Sequence, residues 1–271
     1  MDVSGKLVLI TGGARGIGLE TARCFLKAGS RVVITDRDEG ALERAAGELG
    51  EGERLFTRVV DVTDGEAVVE LARWTVSELG DLDVLINNAG VGYQGTLAST
   101  SLDTWRRLID VNLMGALYHI DAYLPRMLER RSGHIVNVSS GQAFFRLPAW
   151  GAYSAVKCAL AAMSETLHYE LRGQGVWVTT VYPFLAKTAF YDGLEAKSPG
   201  QRLSLKLIPL VADSARHVGE RIFHAVVKRK RVEMVNPINN LGLYCQVFGP
   251  AQWLIGRTAS SILAGGEGKG D

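Results

Sequence analysis

The chain has 271 residues, 47% of them hydrophobic, with 30 Lys+Arg against 29 Asp+Glu, enough for one globular domain that buries roughly 70 to 75% of its unfolded surface. Its 31 Gly and 7 Pro are too few for a disordered or collagenous chain. The near-neutral charge balance leaves no cation excess to serve as the electrostatic footprint of a nucleic-acid partner.

Residues 1–6 enter an apolar run without the charged region and cleavage site of a secretory signal. Short β-branched runs then follow at 6–11, 31–36, 54–60, 83–86, 134–138 and 176–181. Most are apolar throughout, the pattern expected when helices cover both faces of a parallel sheet. Helical patterns at 16–28, 64–79, 102–129 and 152–171 lie between them. The alternation predicts an α/β fold, a Rossmann-type doubly wound parallel sheet flanked by helices, with its ligand at the carboxyl ends of the strands. After residue 181 the rhythm changes: a lid insertion is expected over about 184–212, then a helix near 214–227 and a strand near 231–235. Residues 1–240 read as the domain, 241–264 as an apolar C-terminal extension and 265–271 as a disordered tail. Gln246, Pro250, Gln252 and Arg257 interrupt the extension, so it predicts no membrane span but leaves peripheral contact with a membrane surface open. Cys24, Cys158 and Cys245 are widely spaced, which argues against disulfides and zinc and for a reducing, cytoplasmic setting. His119, His134, His168, His217 and His224 show no ligand spacing either, so no metal is expected.

The string from Thr11 to Gly18, T-G-G-A-R-G-I-G, joins the first strand to the first helix. Glycines there remove Cβ atoms, so that backbone N–H groups and a helix N-terminus can approach a pyrophosphate. Gly12, Arg15, Gly16, Ile17 and Gly18 are the expected contacts. Asp36 ends the second strand 18 residues beyond Gly18. Its carboxylate can accept both ribose hydroxyls and repels a 2′-phosphate, which favours NAD over NADP. Arg15 and Arg37 keep NADP open, because either can contact a phosphate.

Tyr153 and Lys157 stand at i and i+4 on one helical face, where the ammonium favours the phenolate and suits the tyrosine to proton transfer. Thirteen residues earlier, Ser139 and Ser140 end a buried strand on the ligand-binding face. With these residues the chain resembles the classical branch of the short-chain dehydrogenase/reductase family over about residues 4–238. The motifs are T-G-x-x-x-G-x-G at 11–18, Asp61-Val62, Asn87-Asn88-Ala89-Gly90, Asn112, Ser140, and Tyr153 with Lys157. The resemblance implies an oxidoreductase in which Tyr153 is the general acid/base and Ser140, rather than Ser139, orients the substrate oxygen. It further implies that Lys157 binds the nicotinamide ribose and that Asn112 holds a relay water. Asp61 and Val62 would contact adenine, Asn88 and Gly90 the adjoining ribose region, and Ala186 and Thr188 the carboxamide. One departure is Phe184 in place of the family's usual glycine after Pro183, since phenylalanine does not freely adopt positive φ.

Gln142, Phe145, Trp150, Phe184 and Phe190 would line a substrate pocket offering apolar area and few hydrogen bonds. A bulky hydrophobic secondary alcohol or ketone is the expected substrate. The alternative is an NADPH-dependent 3-oxoacyl thioester reductase of lipid or polyketide metabolism, against which Gln174 stands where such enzymes often carry a second basic residue. The helices at 102–129 and 152–171 carry apolar residues outside one stripe, and the resemblance implies that they form the contact of a homodimer or a homotetramer with two-fold symmetry.

Overall fold

The computed structural model describes residues 1–50, 52–145, 147–184, 186–187 and 212–247. Seven parallel strands form the central sheet. They are β1 (Leu7–Thr11), β2 (Arg31–Asp36), β3 (Leu55–Val59), β4 (Val84–Asn87), β5 (Gly133–Val138), β6 (Val176–Tyr182) and β9 (Val232–Met234), in the order β3-β2-β1-β4-β5-β6-β9. The reversal of strand order between β1 and β4 opens a crevice at the carboxyl ends of these strands. Two short strands, β7 (Ala186–Lys187) and β8 (Asp213–Ser214), pair separately.

Alternate residues of β1 enter opposite cores, as the uniformly apolar sequence requires. Val8 and Ile10 pack with Phe25 of α1 (Gly16–Lys27) and with Val218 and Ile222 of α8 (Ala215–Val227). Leu7 and Leu9 pack with Leu71 of α3 (Gly65–Trp74) and with Tyr123 and Met127 of α5 (Gly115–Glu129). Helix α2 (Glu39–Leu49), absent from the sequence-based expectation, adds Ala41, Leu42 and Ala45 to the first core.

The helical stretch expected over 102–129 is α4 (Leu102–Ile109) and α5 joined by a π turn at Asp110–Met114. A second π turn, Thr75–Leu79, extends α3. Helix α7 (Gly151–Glu170) carries Tyr153 and Lys157 in its first two turns, and the four-residue α6 (Gln142–Phe145) precedes it. A last helix, α9 (Ile238–Val247), runs across position 240 and lies against α6, where Gly242 leaves room for the Phe145 ring. The lid expected over 184–212 and the extension beyond residue 247 lie almost wholly outside the described residues. Among the described residues no helix is long and apolar enough to cross a membrane.

Candidate active site

The glycine loop is clamped to the loop after β4. Thr11 Oγ1 accepts from the N–H groups of Asn88 and Ala89, both at 3.0 Å, while Asn88 Nδ2 donates to the carbonyls of Thr11 (2.9 Å) and Gly12 (3.1 Å). Gly12 has φ +61, open to glycine at little cost, and a Cβ on Gly18 would run into the Gly12 carbonyl. Among the described residues no side chain caps the first turn of α1, whose N-cap residue is Arg15. An uncapped helix end behind a wall without Cβ atoms fits a dinucleotide pyrophosphate.

At the end of β2, Asp36 Oδ1 accepts from the Asp38 N–H at 3.2 Å, which fixes the carboxylate. Asp38 in turn caps α2, accepting from Ala41 N–H, and binds Arg15 across the crevice mouth at 2.6 Å. The Ala41 N–H first and the Arg15 guanidinium second hold the Asp38 carboxyl below the usual carboxylate range. Arg37 is exposed. Asp61 accepts from the N–H (2.9 Å) and hydroxyl (2.8 Å) of Thr63, and Val62 is buried where Gly115 begins α5.

Ser139, Ser140, Asn112, Tyr153 and Lys157 converge at the carboxyl ends of β4 and β5. The two serines differ in what their hydroxyls do. Ser139 Oγ donates to the Lys157 carbonyl at 2.8 Å and ties α7 to β5, whereas Ser140 Oγ accepts from the Gln142 N–H at 3.2 Å and keeps its own proton to donate. Lys157 is 4% exposed and its Nζ donates to the Val138 carbonyl at 3.0 Å. Burial pulls this ammonium down from 10.5 to about 8. The Nζ lies 5.9 Å from the centroid of the Tyr153 ring, which also meets the Trp150 ring in an edge contact at 6.0 Å.

Asn112 sits in the π turn, 1% exposed, with its amide committed to the loop after β4. Its Nδ2 donates to the carbonyls of Val91 (3.0 Å) and Leu108 (3.1 Å), and its Oδ1 accepts from Val91 N–H (3.2 Å). A Cβ on Gly90 would press on Asn112 Oδ1 at 2.8 Å and approach Lys157 Nζ at 3.4 Å, so this glycine lets the three groups meet.

Of the expected pocket residues, Trp150 is buried against Tyr153, and Phe145 meets Phe184 edge-on at 5.1 Å. Phe184 does not have positive φ, so the departure from glycine imposes no backbone strain. Gln142 is 5% exposed, and its buried Oε1 has no hydrogen-bond partner among the described residues. Ala186 lies in β7, while Thr188 and Phe190 fall outside the described residues.

Two residues that sequence reasoning missed also shape the site. Asn239, buried in α9, donates to the Tyr182 carbonyl at 2.6 Å and reaches Gly141, next to Ser140. Asp38 is the other, and its only signal is its place as an N-cap three residues before Ala41. Among the described residues no group of His, Cys, Asp or Glu is arranged to hold a metal ion.

Residues 6–198 match the family model described as short chain dehydrogenase. The chain is similar to the "Probable oxidoreductase EphD" of Mycobacterium tuberculosis, 36% identical over 242 residues, which are 85% of this chain and 41% of that protein. It is similar also to mouse "Dehydrogenase/reductase SDR family member 7B", 31% identical over 250 residues, 90% of this chain and 77% of that one. Among solved structures, a short chain dehydrogenase/reductase from Burkholderia phymatum in complex with NAD superimposes with a TM-score of 0.85 at 28% identity, covering 92% of this chain and 95% of that chain. A short-chain dehydrogenase from Streptomyces avermitilis gives 0.81 at 26% identity, covering 98% and 100%.

Proposed function

The chain belongs to the short-chain dehydrogenase/reductase family, and from that premise we propose that this oxidoreductase interconverts a hydrophobic secondary alcohol and its ketone, with NAD preferred over NADP. The observation that carries the reading is the division of labour between the serines beside Tyr153: one hydroxyl is spent on α7, and the other is left with a proton to donate.

When bound, the nicotinamide supplies the carbon that gives or takes the hydride. Ser140 donates its hydroxyl proton to the substrate oxygen and orients it toward Tyr153. The Tyr153 hydroxyl gives its proton to that oxygen in the reductive direction and accepts it in the oxidative one. Lys157 favours the phenolate through its charge, and its burial strengthens that effect because little water screens it. With the Asn112 amide committed to Val91 and Leu108, a relay water would be held by its main chain. Asp36, fixed by the Asp38 N–H, accepts from the ribose hydroxyls. Phe145 and Phe184, both partly exposed, offer the apolar area that supports a bulky substrate, and Trp150 backs the Tyr153 ring. The thioester reductase is disfavoured, since Gln174 turns its amide back to the Glu170 carbonyl at an exposed position.

Tyr153→Phe tests the mechanism. Turnover of hydrophobic alcohols, followed by nicotinamide absorbance, is expected to fall by about 10²-fold or more. A variant retaining most of the wild-type kcat would sink the assignment of Tyr153.

A further inference from the structure

Asp38 connects three parts of the cofactor crevice at once. Its N–H steadies Asp36, its Oδ1 caps α2 through Ala41, and its Oδ2 is 2.6 Å from Arg15 Nη2. Arg15 extends from the glycine loop at the head of α1, so the ion pair crosses the mouth of the crevice to the end of β2. A guanidinium in that position is suited to a ribose 2′-phosphate, because its planar fork can donate two parallel hydrogen bonds to phosphate oxygens. Here the fork is already turned to a carboxylate.

Neighbouring cations do not duplicate this arrangement. Arg37 is exposed and has neither an ion pair nor a hydrogen bond among the described residues, and Arg44 approaches the Asp38 side chain only across Gly40. Exposed ion pairs contribute little to stability, so the consequence of this one lies in what Arg15 is kept from doing.

Resting on the dinucleotide site proposed above, we infer that Asp38 is a second determinant of cofactor choice: it latches Arg15 away from a 2′-phosphate and so holds the enzyme to NAD. Asp36 discriminates by repulsion, and Asp38 discriminates by occupying the cation that would otherwise reward the phosphate.

The test is a double-mutant cycle read by binding. Isothermal titration calorimetry measures NAD⁺ and NADP⁺ dissociation constants for the full chain as wild type, Asp38→Asn, Arg15→Ala and the combined variant. Asparagine keeps an N-cap acceptor, and circular dichroism checks that each variant folds. The ratio of the NADP⁺ to the NAD⁺ dissociation constant is expected to fall about tenfold in Asp38→Asn, the scale of one charge-assisted contact to phosphate. It should return to near the wild-type ratio when Arg15→Ala is added. An unchanged ratio in Asp38→Asn overturns the latch. A gain that survives Arg15→Ala overturns it too, because loss of negative charge alone would then explain the change. A wild type that binds neither dinucleotide overturns the site itself and the latch with it, and a wild-type preference for NADP⁺ refutes the Asp36 argument and the latch alike, whereas failure of the Asp38→Asn arm alone leaves the site standing.

Discussion

Replacing Lys157 by methionine removes a charge that the fold holds at a cost. Lys157 is 4% exposed, and burial brings its ammonium from 10.5 to about 8. At about 1.36 kcal/mol for each pH unit, keeping the group protonated in the native state costs about 3 kcal/mol relative to a solvated lysine. That cost is present in full below about pH 8, where native and unfolded chains both carry the proton. Between about 8 and 10.5 the unfolded chain still holds a proton that the native chain has released, so stability rises with pH, and above 10.5 the cost is gone. Lys157→Met has no such titration. It leaves the Val138 carbonyl without its donor, which subtracts on the order of 1 kcal/mol, so at pH 7 the variant is expected to be more stable than wild type by about 1 to 2 kcal/mol. Urea unfolding of both proteins from pH 7 to 10.5, taken as wild type minus variant, cancels the other titrating groups. Turnover should collapse in the same variant, a trade of function against stability. A difference that stays flat with pH, or a wild type that is the more stable at pH 7, would refute the reasoning.

Acid should destabilise the protein through two buried histidines. His119 Nδ1 donates to the Gly115 carbonyl at 2.7 Å. His134 Nε2 donates at 2.8 Å to Thr179 Oγ1, which gives its own proton to the Lys230 carbonyl. Burial lowers His119 from 6.5 to about 4 and His134 to about 3, so the unfolded chain takes up protons first and stability is lost as pH falls below 6.5. Denaturant melts should lose about 2 kcal/mol per histidine between pH 7 and 5, and His134→Gln should remove about half of that slope; an unaltered slope would exclude His134. Asn239→Ala takes one of two donors from the Tyr182 carbonyl, which keeps the Val235 N–H at 3.3 Å, and loosens α9 from the substrate end. It should cost about 1 kcal/mol in thermal unfolding and raise KM more than it lowers kcat. Unchanged values of both would remove Asn239 from the site.

What was legible in the sequence is what local chemistry dictates. The sheet announced itself because strands covered on both faces are apolar throughout, and β1 does feed two cores. The glycine loop, Asp36 and the Tyr153–Lys157 pair are contiguous or one helical turn apart, so spacing alone places each on its element. Helix α2 escaped because Gly40 and Gly47 weaken its propensity and only Ala41, Leu42 and Ala45 turn inward. Asn239 escaped for a different reason: its partner is a backbone carbonyl 57 residues away, and no side-chain pattern marks a backbone acceptor. The choice between Ser139 and Ser140 was implied by resemblance, while the physical difference between their hydroxyls emerges only when β5 and α7 are packed together.

The π turn at Asp110–Met114 amounts to one residue more than an α-helix would place over the same span. That residue acts as a spacer. Excising one position there would restore an unbroken α-helix with α4 and α5 still in phase, because the wider turn already absorbs the extra residue. Tyr123 and Met127 would keep their place in the core while Asn112 lost the turn that aims it at Val91, so a single shortening would be felt beside Lys157 and not on the far side of the sheet. At this point in the chain one residue of extra length serves the chemistry and leaves the packing of the body as it was.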